Sequence, residues 1–144
     1  MRNFSFLLLI AIFWAGCIQE THVVVHGDQP ITYTVEIADT RVKQAKGLMF
    51  RNRLGEREGM LFVYKEATVK HFWMKYTPLP LDIIFISEEK RIVNVEAAVP
   101  CRSAPCPRYA SRGPVRYVLE INRGQSDKYG FKQGTIVDFV DSSK

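Results

Sequence analysis

The chain has 144 residues, with 20 Lys and Arg against 15 Asp and Glu, for a net charge of +5. Apolar content of 47% and aromatic content of 12% exclude a disordered or low-complexity protein. Three cysteines are too few for a disulfide-dense miniprotein or a four-cysteine zinc module, and the single long apolar run is terminal, which excludes a multispan transporter.

The first sixteen residues read as a signal peptide. Arg2 precedes an apolar run from Phe4 to Trp14, interrupted only by Ser5, and the run ends in Ala15-Gly16-Cys17. Such a stretch falls short of the roughly 17 residues that span a bilayer as a helix. Small residues ahead of a cysteine suit a lipoprotein peptidase, and the segment resembles a lipobox with Cys17 as the lipidated residue. An ordinary secretory leader is the alternative, in which Cys17 has no special role. Residues 17–30 mix polar residues, Gly and Pro with little periodicity, so a flexible lipidated tether is expected there, reaching up to roughly 40 Å at full stretch. His22 and His26 on it are expected to be solvated rather than metal ligands.

Strand signals dominate residues 31–141, the expected single domain. Ile31, Tyr33, Val35 and Ile37 alternate with polar residues. Thr40 is placed to cap a short helix over 41–46 that Gly47 ends. Further strands are expected at 60–64, 68–75, 81–86, 91–99, 115–121 and 135–140, with one helical turn at 126–129 closed by Gly130. The run Leu81 to Ile86 is nearly all apolar, as in a strand covered on both faces. The fold class is therefore mainly β: a compact β-sandwich or small barrel with one or two short helices.

Gly47-Leu48-Met49-Phe50-Arg51, Gly59-Met60-Leu61-Phe62, Phe72-Trp73-Met74-Lys75, Pro80-Leu81-Asp82, the Pro100-Cys101 to Cys106-Pro107 loop and Tyr117-Val118-Leu119-Glu120 occur in this order. In these blocks, from about Val35 to Phe139, the chain resembles the family called domain of unknown function 192. The resemblance implies a compact, often exported β-sandwich with no established activity. Tyr76 stands where that family usually shows Asn, and Thr135 follows Gly134 where an Asp is common.

In an exported chain Cys101 and Cys106 are expected to form a disulfide that fixes a long loop, with a redox pair or two metal ligands as competing readings. Arg51, Trp73, Lys75, Asp82, Tyr117 and Glu120 are the candidate ligand-binding residues. Trp73 and Lys75 alternate onto one face, and the turn at 77–80 is expected to return Asp82 beside Lys75. Such an aromatic platform with cationic and acidic edges suits sugars, peptides or small anions. His71, in register with Trp73, is the one histidine expected inside the domain and lacks the partners of a catalytic triad. Met49, Met60 and Met74 are expected in the core. Arg102, Arg108, Arg112 and Arg116 suggest an electropositive loop facing anionic headgroups or acidic polymers, or simply a solvated face.

The expected function is an extracytoplasmic, membrane-tethered binding or accessory module for a small or cell-envelope ligand. The alternative is a small cell-envelope hydrolase using Asp82 and Glu120. No cofactor, metal or nucleic acid is called for.

Overall fold

The computed structural model describes residues 21–141; the expected signal peptide and Cys17 lie outside them. Among the described residues the chain is mainly β, with two short helices. Its strands are β1 (Thr21–His26), β2 (Pro30–Ala38), β3 (Glu58–Thr68), β4 (His71–Trp73), β5 (Leu81–Ile86), β6 (Ile92–Ala98), β7 (Arg108–Ala110), β8 (Val115–Asn122) and β9 (Val137–Asp141). The helices are α1 (Arg41–Lys46) and α2 (Gln125–Tyr129).

Seven strands form one sheet in the order β6-β5-β8-β3-β2-β1-β9, while β4 and β7 form a separate ribbon. Within the large sheet β2 and β3 run parallel, joined through α1, and the other neighbours are antiparallel. The sheet curls until its edges touch at one end. Arg91 bridges to Ile136, the Ile92 N–H donates to the Thr135 carbonyl at 2.9 Å, and the Val137 N–H donates to the Lys90 carbonyl at 2.9 Å. The expected β body is therefore built from a half-barrel and a small ribbon rather than from two matched layers.

Strand alternation divides the core into two. Val23, Val25, Tyr33, Leu61, Ile84, Ile86, Leu119, Ile121 and Val137 fill the concave interior. Met60, Phe62, Ile83, Phe85 and Val118 point outward, where the ribbon covers them. Phe72 of β4 packs edge-on against Phe62 and Phe85, with centroids 4.9 and 5.8 Å away. Leu81 to Ile86 is buried at every position because β5 lies between these two cores, as its apolar run predicts.

The tether requires a correction. Thr21–His26 is a strand paired on both sides, with β2 and β9, and Val23 and Val25 are wholly buried. Its Val-Val-Val run lacks alternation because Val24 lies between two inward residues and is itself partly covered. His22 and His26 thus belong to the domain alongside His71, and His26 meets Asp138 at 2.8 Å. The strand expected over 68–75 is also smaller than its signal: β3 runs on to Thr68 and β4 holds only three residues. The helix over 41–46 is present, with the Thr40 hydroxyl accepting the Lys43 N–H at 3.3 Å and Gly47 at a φ of 48°.

Candidate ligand-binding site

The outward face of the sheet, under the ribbon and α1, carries three adjoining depressions. The narrowest is a slot of about 40 Å³ bordered by Lys46, Leu48, Phe62, Phe72, Trp73 and Thr77, with Glu120 among its lining residues. It shares Thr77 with a shallow pocket of about 510 Å³ lined by Phe50, Asn52, Tyr76, Pro78, Pro100 and Arg102. It shares Lys46 and Gly47 with a groove of about 660 Å³ that holds Lys43, Arg51, Glu36 and Glu58.

Glu120 is set into this face by register. It pairs with Met60 on β3 and Ile83 on β5, two outward-facing core residues, so its side chain shares their side of the sheet. Only 5% of the residue is exposed. Among the described residues its carboxyl has neither a hydrogen bond nor an ion pair. Burial alone pushes its pKa up to about 8, so the group is largely a neutral acid at pH 7. Gly47 forms part of the slot wall: a Cβ there would lie 3.2 Å from the Phe62 ring and 3.9 Å from Glu120 Oε2. Tyr64, also on β3, has its hydroxyl pKa raised to about 12, mainly by burial and secondarily by the charge of Glu120.

The aromatic rim is more extensive than the sequence suggested. Phe50 and Tyr76 stack at 5.4 Å with planes 19° apart, although they are 69% and 56% exposed. Both have left-handed backbones, with φ of 65° and 57°, and the Phe50 N–H donates to the Tyr76 carbonyl at 2.8 Å. Such φ values are uncommon for bulky residues and carry strain. Lys75 links this pair to Trp73, its Nζ lying 5.0 Å from the Tyr76 ring centre and 5.5 Å from that of Trp73. Arg108 approaches Trp73 from β7 at 5.7 Å, and Trp73 is 44% exposed.

The six candidate residues therefore separate. Trp73, Lys75 and Glu120 gather around the slot and its rim. Arg51 stands in the neighbouring groove, held by a two-pronged pair with Glu36, of which the Nη2–Oε2 contact is 2.6 Å. Asp82 does not return to Lys75. It pairs in register with Ile121 on the concave side, and its Oδ2 accepts the Ser126 N–H of α2 at 2.8 Å. Tyr117 packs in the same interior against Phe139, with ring centres 4.6 Å apart. Because Asp82 and Glu120 lie on opposite faces, they cannot flank one scissile bond, and the paired-carboxylate geometry of a glycosidase is not formed.

Sequence reasoning missed Phe50 and Tyr76 as a platform. Phe50 stood inside a family block and Tyr76 stood out as a departure from it, but neither fact shows that two residues so far apart in sequence stack. Met60 and Met74 are buried core, and Met49 is half-buried at the slot. Cys101 and Cys106 form the expected disulfide, with Cα atoms 5.5 Å apart, and Cys101 borders the shallow pocket. Part of the basic loop is neutralised: Arg116 donates to Glu88 at 2.5 Å and Arg112 lies 3.6 Å from Glu96. No cluster of three metal-ligating side chains occurs among the described residues.

A curled sheet with a covered outer face and a buried acid beneath an aromatic rim defines a small β protein with a lined slot. The chain belongs to the DUF192 family, described as "Uncharacterized ACR", whose model matches residues 22–139. A structure of a protein of unknown function from Novosphingobium aromaticivorans is 38% identical, covering 89% of this chain and 91% of that one at a TM-score of 0.78. Another, from Sinorhizobium meliloti and described as "a putative transcription regulator", is 35% identical over 84% of this chain and 93% of its own, with a TM-score of 0.76. A UPF0127 protein of Pyrococcus abyssi is 33% identical over 100 residues, which is 62% of this chain and 80% of that protein.

Proposed function

We propose that this chain is an extracytoplasmic binding module, moored to a membrane by a lipid on Cys17, that holds a cell-envelope saccharide against Phe50, Tyr76 and Trp73. The observation that carries this reading is the exposed Phe50–Tyr76 stack, built from two left-handed residues. Strained, solvent-facing aromatics are costly to retain unless something covers them, and flat aromatic faces suit the apolar faces of sugar rings. Lys75 and Arg108 give the rim a cationic edge that favours acidic saccharides. The leader and the disulfide both suit a non-reducing exterior. No helix among the described residues is long and apolar enough to cross a membrane, so the proposed attachment rests on Cys17.

Trp73 supplies the readout, because the other tryptophan, Trp14, lies in the leader. Cellotriose, tri-N-acetylchitotriose and an oligogalacturonate are to be titrated against the exported protein by tryptophan fluorescence. At least one is expected to bind at low millimolar or better, and Tyr76→Asn is expected to weaken it about tenfold, in line with one lost stacking contact of about 1–1.5 kcal/mol. Asn accepts the left-handed backbone, so the variant removes the ring without breaking the turn. Absence of binding by all three, or binding indifferent to Tyr76→Asn, contradicts the proposal.

A further inference from the structure

The slot beside the platform has its own chemistry. Its walls combine apolar Leu48, Phe62, Phe72 and Trp73 with polar Gln44, Lys46 and Thr77, and the Glu120 carboxyl at the slot has no hydrogen bond or ion pair among the described residues. A volume of about 40 Å³ admits two to four water-sized groups, taking roughly 10–15 Å³ for each. A fully charged guest would lose its hydration in such a space, whereas a carbonyl with a methyl cap fits both the size and the mixture of polar and apolar walls. A carbonyl accepts hydrogen bonds, and a protonated carboxyl donates one.

We infer that the slot is a specificity pocket for an acetamido group, with the Glu120 acid donating a hydrogen bond to the acetyl carbonyl while Phe62, Phe72 and Leu48 enclose the methyl. This deepens the saccharide reading and rests on it: the platform holds the ring, and the slot selects its N-acetyl substituent. Glu120 here is a neutral donor, so ionisation removes the donated proton and places an uncompensated charge against the carbonyl. Affinity therefore falls as pH rises through about 8, the value to which burial raises this group.

The titratable groups at and around the slot fit this assignment. Tyr64 on β3 stays protonated well beyond that pH, with its hydroxyl raised to about 12. Lys46 lies at the end of α1, Lys75 and Arg108 stand around the Trp73 ring, and β5 presents apolar Ile83. Glu36 and Arg51, in the adjoining groove, pair with each other.

The test compares tri-N-acetylchitotriose with cellotriose, which keeps the rings and lacks the acetamido groups. Titrations read Trp73 fluorescence between pH 5.5 and 9.5 on the exported protein and on Glu120→Gln, whose amide donates a hydrogen bond without titrating. The inference expects tri-N-acetylchitotriose to bind at least tenfold tighter than cellotriose at pH 6. That preference should shrink above pH 8 in the native protein and stay level with pH in Glu120→Gln. Equal binding of the two trisaccharides overturns the slot assignment and leaves the platform standing. Loss of the preference in Glu120→Gln at pH 6 also overturns it, because the Gln amide keeps a donor at that position. Absence of binding by either sugar overturns the slot assignment, and the platform then depends on the oligogalacturonate titration.

Discussion

At the scale of single residues, Glu120 is a buried carboxyl whose pKa burial raises to about 8. Its raised pKa means that the folded chain holds a proton the unfolded chain has released. Between about pH 4.5 and pH 8 the folded state thus binds more protons at this site, and its stability declines as pH rises through that window. Below the window the contribution is fully present, and above it the loss is complete. Glu120→Gln removes the slope, so the variant should gain on the native protein by on the order of 4 kcal/mol on going from pH 4.5 to pH 9. Chemical denaturation at both pH values measures this. An unchanged difference would mean that the carboxyl is solvated. The presence of Glu120 on the face opposite Tyr117 and Leu119 was legible from alternation alone. Its separation from Asp82 was not, because that depends on Ile83, rather than Asp82, standing opposite Glu120. The left-handed backbones of Phe50 and Tyr76 were equally hidden, since neither is the Gly or Asn that normally marks such a conformation. The Asn usual in the family at the position of Tyr76 fits that backbone without strain.

Among the elements, those with local signals were readable. The alternation at 31–37 and 115–121 gave β2 and β8, and a threonine ahead of a short run closed by glycine gave α1. β1 was not, because its burial comes from β2 and β9 rather than from any pattern of its own. β7 was missed within a Pro- and Arg-rich loop for the same reason: its pairing with β4 is non-local. Gly27, in the turn after β1, distinguishes a structural strand from a tether. A Cβ there would meet the Tyr129 carbonyl oxygen at 2.1 Å and the Phe131 ring at 2.7 Å. Gly27→Ala should therefore destabilise the domain by about 1–3 kcal/mol, with a matching drop in the denaturation midpoint. A tether would tolerate the change without measurable effect.

Taken as a whole, the molecule joins a proposed anchor to a body that begins soon after it. With β1 starting at Thr21, the chain from Cys17 to the sheet spans at most roughly 14 Å when fully extended, not the roughly 40 Å expected of a long tether. Thr21 borders the groove containing Lys43, Lys46, Arg51, Glu36 and Glu58, so a lipid on Cys17 would bring this charged region close to the headgroups. Cys17→Ala should release the protein to the soluble fraction of fractionated cells. Persistent membrane retention in that variant would contradict the anchor.

The most direct measurement of ligand binding is NMR on the detergent-solubilised exported protein, with its aromatic rings and Glu120 carboxyl carbon-13 labelled, titrated with tri-N-acetylchitotriose. Saturable shifts are expected at Phe50, Trp73, Tyr76 and the Glu120 carboxyl carbon, with Tyr117 and Phe139 unmoved in the concave interior. Shifts centred on Tyr117 and Phe139, or none at the Phe50–Tyr76 pair, would contradict the proposed site.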